Sequence, residues 1–161
     1  MCFMCVDDVE WELLDWGSIG WVARPNNVPE ASMLCVLDVK LLPGKGHDFH
    51  THPHQEEVIL VRSGSVEQWV DRERKELTVG DVAVIPMGTV HATFVPETAT
   101  EPVRLFVVLG PSFGPAGYEA VDVSTEVPRT WVVLVDGRDL FWWGARTRDA
   151  VERLRAALAP G

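Results

Sequence analysis

The sequence predicts an all-β domain of the sandwich or barrel kind. Short apolar, β-branched runs recur at intervals of about 8 to 12 residues. Gly and Pro pairs punctuate them. A convincing helical pattern occurs only at the end of the chain.

Taken in order, "WVARP" reads as a short strand and "SMLCVLDVKLL" as a longer one stopped by Pro43-Gly44. "EEVILVRSG" is β-branched and ends at Ser63-Gly64. "SVEQWVDRE" sets Val66, Gln68 and Val70 against Glu67, Trp69 and Asp71, the two-residue period of a strand. "RKELTVGD" runs into a turn, and "VAVIPMGTVHATFVP" holds two short strands around Pro86-Met87-Gly88. "EPVRLFVVLGP" is a further strand, and "SFGPAGYEAVDVSTEVP" reads as a long loop. "TWVVLVDGRDLFWW" reads as a hairpin about Asp136-Gly137. "TRDAVERLRAALAPG" reads as a helix capped by Thr147, with Ala150, Val151, Leu154 and Leu158 on one stripe. The expected organisation is a segment over residues 1–32 packing on a barrel core over 33–110. A loop, hairpin and helix over 111–161 complete the same domain.

Composition narrows the function classes. The chain has 161 residues, 47% of them apolar, enough for one real core. Its net charge of −10 argues against an electrostatic role with nucleic acid or anionic lipid. No apolar run approaches the ~18 residues a spanning helix needs. The acidic start, "MCFMCVDDVEWELLDW", does not read as a leader peptide. Three cysteines make an odd number, so a reduced, cytoplasmic setting is expected. Cys2 and Cys5 form a CxxC with no room for a strand before it, and read as an N-terminal tail. Cys35 shares a strand face with Leu37, Val39 and Leu41 and reads as a core thiol.

Three of the five histidines lie in "HTHPHQEE", residues 50 to 57. Along a strand His50 and His52 point the same way, and Thr51 points away. One glutamate can join them, and parity leaves Glu56 and Glu57 both open. His91 sits among the apolar Val90, Ala92 and Phe94, which directs it into the core, where an imidazole needs a partner. Three imidazoles and a carboxylate suit Fe, Mn, Ni, Cu or Zn. His47 and His54 read as surface residues.

The spacing G-x5-H-x-H-x4-E-x6-G from Gly44 to Gly64, followed by G-x5-P-x-G-x2-H from Gly80 to His91, resembles the two motifs of the cupin superfamily. The first motif is similar to that of germin-like cupins. The resemblance covers roughly residues 33–110. One position departs from it: Val95 stands where the second motif often has Asn. The resemblance implies a double-stranded β-helix (jelly-roll) barrel with the C-terminal hairpin and helix appended. It selects Glu57 over Glu56 and implies a metal held by His50, His52, Glu57 and His91, with iron the first expectation. Gly44, Gly64, Gly80 and Gly88 then fall at turns that favour a positive φ.

On that barrel, alternation from Glu57 and His91 turns Ile59, Val61, Thr93 and Val95 inward. Gln68 is a candidate polar group inside the barrel, with an outward Gln beside Glu67 as its alternative. Arg104, on the face of Phe106 and Val108, is a candidate for gripping a substrate carboxylate if it points inward, and otherwise a surface arginine. The substrate-contact candidates are therefore Gln68, Arg104, Ile59, Val61 and Thr93, with Glu57 as the catalytic base. Six of the seven tryptophans, Trp11, Trp16, Trp21, Trp131, Trp142 and Trp143, lie outside the resemblance and read as packing or homodimer contacts. The expected activity is a metal-dependent oxygenase of dioxygenase type, acting on a small chelating carboxylate, enol or diketone. Zn, Mn or Ni lyase, isomerase or decarboxylase chemistry is the alternative, as is a metal-holding module without turnover.

Overall fold

The strand pattern read from the sequence is realised as two antiparallel sheets in the computed structural model, which describes residues 3–112 and 117–122. The chain begins with a hairpin, β1 (Glu10–Leu14) and β2 (Gly17–Ala23), and continues into β3 (Cys35–Leu41). It then crosses between the sheets at every step but the β6–β7 hairpin, through β4 (Gly46–Thr51), β5 (Glu56–Ser63), β6 (Ser65–Val70), β7 (Glu73–Thr78), β8 (Val82–Ile85), β9 (His91–Phe94), β10 (Val103–Gly110) and β11 (Glu119–Ala120). The strand order is β1-β2-β3-β10-β5-β8 in one sheet and β11-β4-β9-β6-β7 in the other. This is the jelly-roll arrangement expected of an all-β chain with these turns. Met1–Val121 forms one compact unit and Asp122–Gly161 another. The hairpin expected around Asp136-Gly137 and the helix after Thr147 lie outside the described residues.

Alternation explains the core. On β10, Val103, Leu105, Val107 and Leu109 are buried while their neighbours are not. They meet Leu37, Val39 and Leu41 of β3, and Ile59 and Val61 of β5, across the sheet. Val66 and Leu77 close the core from the five-stranded sheet. Burying a Leu, Ile or Val side chain stabilises a fold by about 1.5–3 kcal/mol. This one cluster is therefore the main source of stability. Cys35 belongs to it, as expected of a core thiol, and burial pushes that thiol's pKa up.

Gly44, Gly64, Gly80 and Gly88 all adopt positive φ, at 69°, 75°, 93° and 73°. At Gly88 this turns the chain between β8 and β9 and lets the Gly88 N–H donate to the His52 carbonyl at 2.9 Å. Gly46 answers to a different constraint, a close approach. A Cβ there would lie 2.5 Å from the Thr93 carbonyl oxygen and 3.0 Å from Phe94 Cα, so β4 can lie this near β9 only without a side chain.

Two elements depart from the expectations. β1 was not anticipated: Glu10, Trp11, Glu12 and Leu13 are all exposed, so no apolar alternation marks it. Pairing with β2 makes it a strand. β11 lies within the stretch read as a loop, and exists through its pairing with His50 and Thr51 on β4.

Candidate metal centre

β4 and β9 place His50 and His91 opposite one another in register. β5 supplies Glu57 from the facing sheet, and His52 follows the end of β4. All four residues are buried, whereas Glu56 is exposed. Parity could not choose between the glutamates, and the strand settles it: Glu57 shares the inner face with Ile59 and Val61. One ligand atom from each of the four lies within 4.8 Å of every other. Two ligands bound to a single ion at ~2.1 Å stand at most ~4.2 Å apart. Only small adjustments would bring this set onto one ion.

The far side of each imidazole decides what the near side can do. His50 Nδ1 lies 2.7 Å from the Asp48 carbonyl, His52 Nδ1 2.7 Å from that of Gly117, and His91 Nδ1 2.9 Å from that of Thr89. A carbonyl only accepts, so each Nδ1 carries the proton and donates. In the neutral ring the Nε2 lone pair is then free, and it faces the cluster.

Those inward atoms lack ordinary partners. His50 Nε2, His91 Nε2 and Glu57 Oε2 are fully buried with no hydrogen bond. His91 Nε2 does approach Glu57 Oε2 to 2.7 Å, and His52 Nε2 to 3.4 Å, but these are close approaches without the alignment of a hydrogen bond. Orphaned buried acceptors are costly. A cation that accepts electron pairs from all of them removes that cost, so the residues present fit a divalent transition metal.

Burial pushes the Glu57 carboxyl upward, but the imidazoles of His52 and His91 beside it outweigh burial and hold it at about 2. Burial lowers His50 to about 3, with His47 and His91 acting the same way. His52 moves in the opposite direction: burial would lower it, but the Glu57 carboxylate raises it above the ordinary imidazole value. Near neutral pH the set therefore contains one ionised carboxylate, and His50 is neutral.

The remaining candidates divide. Ile59, Val61, Thr93 and Val95 are buried on inner faces, as alternation requires. Gln68 is inside as well, and satisfied: the Thr93 hydroxyl donates to its Oε1 at 2.7 Å, and its Nε2 donates to the Trp69 carbonyl at 3.0 Å. Arg104 is a correction. It lies on the outer face of β10, between the inward Val103 and Leu105, and its guanidinium grips Asp38 on the neighbouring strand. It does not line the interior.

Sequence reasoning missed three neighbours of the site. His47, read as a surface residue, has its ring 4.1 Å from that of His50, with burial lowering its pKa. A register shift between His47 and His50 undoes the alternation that would have separated them. Tyr118 stacks on His50 at 4.9 Å and on His47 at 5.4 Å. Gln55, to which the sequence assigned no role, is buried and donates to the Pro111 carbonyl at 2.6 Å. A bulge leaves no mark in composition, and Tyr118 comes from a stretch that reads as loop.

Comparison with known proteins agrees with this geometry. The family model described as "Cupin domain" matches residues 37–109. No curated protein matches the sequence. Among solved structures, KdgF from a Halomonas species is similar at 22% identity and TM-score 0.58, covering 68% of this chain and 94% of its own. An RmlC-like cupin from Shewanella frigidimarina aligns at 20% identity and TM-score 0.60, covering 70% and 93%. Oxalate decarboxylase from Bacillus subtilis aligns at 20% identity and TM-score 0.63, covering 76% of this chain and 32% of the enzyme.

Proposed function

We propose, from the cupin-domain match over residues 37–109, that this chain is a metal-dependent enzyme of small-molecule metabolism, most simply an oxygenase acting on a chelating carboxylate, enol or diketone. The observation behind the reading is the convergence of three lone-pair-bearing imidazole nitrogens and one carboxylate, with every Nδ1 committed to a backbone carbonyl. Iron is the metal of first choice in this reading. When bound, such a metal supplies Lewis acidity and, if redox-active, a route to O₂.

The chain's own groups shape the substrate class. Ile59 and Val61 offer an apolar wall, with Thr93 and Gln68 adding a polar pair already bonded to each other. Glu57 is the base in this scheme. Held at about 2, its pKa makes it a weak one, so it would rely on a bound metal to acidify the substrate proton it takes. An enol, a 1,3-diketone or a carboxylate can each chelate such a metal, and coordination would acidify the first two. No helix among the described residues is long and apolar enough to cross a membrane.

The test is metal analysis of protein purified without chelator, followed by oxygen uptake against carboxylates, diketones and catechols. Stoichiometric iron with O₂ uptake is the expected result. A tightly held metal with no turnover on the panel would instead favour a binding module.

A further inference from the structure

The described chain returns to the metal centre from its far end. Residues Gly117–Val121 lie along β4: Glu119 pairs with Thr51, Ala120 pairs with His50, and the Val121 N–H donates to the Phe49 carbonyl at 3.0 Å. This strap touches the ligand set at two places. Tyr118 stacks over His50, and the Gly117 carbonyl accepts from His52 Nδ1 at 2.7 Å.

The three imidazoles are not anchored alike. His50 and His91 each bond a carbonyl two residues upstream, so their own strands orient them. His52 lies beyond the end of β4, and its anchor comes from 65 residues away. Gln55 holds that anchor in place. Its buried side chain donates to Pro111 on one side of the strap, and its amide packs against Gly117 so closely that a Cβ at 117 would overlap Gln55 Oε1.

We propose that Gln55 and Gly117 are positioning residues for the metal, acting through His52. The Gly117 carbonyl keeps His52 in the tautomer that presents Nε2, and Gln55 keeps that carbonyl within reach. The inference rests on the metal reading above and adds a coupling to it. If the seated strap strengthens metal binding, bound metal must hold the strap down by the same factor. Removing a partner of this kind commonly weakens metal binding by ~10–100-fold.

The experiment measures Co(II) and Zn(II) affinity of the full chain by chelator competition, with the Co(II) absorption spectrum and hydrogen exchange at Val121 as further readouts. Gly117→Ala should weaken binding ~10–100-fold, alter the Co(II) spectrum and raise Val121 exchange. Gln55→Ala introduces no overlap and should do the same to a smaller extent, beyond any loss of stability recorded by the melting curve of the metal-free protein. In the wild type, added metal should slow exchange at Val121. Wild-type protein that binds no Co(II) or Zn(II) overturns the metal reading itself. Wild-type protein that binds metal, with both variants binding equally tightly and Val121 exchange indifferent to metal, overturns the coupling alone.

Discussion

The six-stranded sheet turns Leu37, Leu41, Val61, Val103, Leu105 and Val107 inward, with Glu57 the one carboxylate on that inner face among the described residues. The five-stranded sheet turns His50, Gln68, His91 and Thr93 toward the same interior. One sheet is chiefly packing and the other chiefly chemistry, and the two meet at Glu57. Stability and metal binding should therefore be separable by mutation, even though both depend on one interior.

The sharpest test is His91→Ala. It removes a buried ligand atom from the chemical sheet, and the protein should retain no metal after dialysis, as read by elemental analysis, while the metal-free fold persists in circular dichroism. Metal retained at the wild-type level would mean the ligand set is wrong. Leu41→Ala makes the complementary cut in the packing sheet. It should cost about 2–5 kcal/mol in denaturant unfolding, with metal stoichiometry of the folded fraction unchanged.

Gln68→Leu lies between the two cases. It strands the Thr93 hydroxyl and should cost about 1–3 kcal/mol, with little change in metal affinity. A large loss of metal would show that the polar pair belongs to the site. Arg104→Ala should cost about 1 kcal/mol or less, since its ion pair with Asp38 is partly exposed and Arg62 stands 3.8 Å from the same carboxylate. The variant should leave any substrate affinity untouched, and a raised KM would return Arg104 to the pocket.

Acid should act on the chemical sheet through His52. Its pKa is raised above the ordinary value because of Glu57, so it gains a proton before His50 as the pH falls. A protonated Nε2 cannot bind metal, so apparent affinity should decline as the pH falls through and below the ordinary imidazole range, starting above it because the pKa of His52 is raised. Chelator competition across that range checks the sign. Affinity that held constant or rose on acidification would contradict it.

The difference between the sheets also explains what could be read in advance. His50, His52 and His91 were legible because strand alternation and apolar neighbours mark them locally, whereas Glu57 was preferred to Glu56 only through the resemblance to the cupin motifs. The core of β10 was legible for the same reason. Arg104 was not, because alternation pairs it with Phe106 and Val108 without saying which face is inside; only Asp38, from a strand more than sixty residues earlier, settles that. His47 was hidden by a register shift, and Gly117 and Tyr118 by distance along the chain. Local chemistry writes itself into spacing, while contacts across the fold do not.

Gly46 bears on the spacing of the candidate ligands. It starts the strand whose fifth residue, His50, faces His91, and it pairs with Phe94 of β9 with no room for a Cβ between the strands. Even one methyl group here would act as a shim between the strands, felt four residues along as a wider gap between two imidazoles. The spacing of the candidate ligands is thus gauged partly by an atom that is missing.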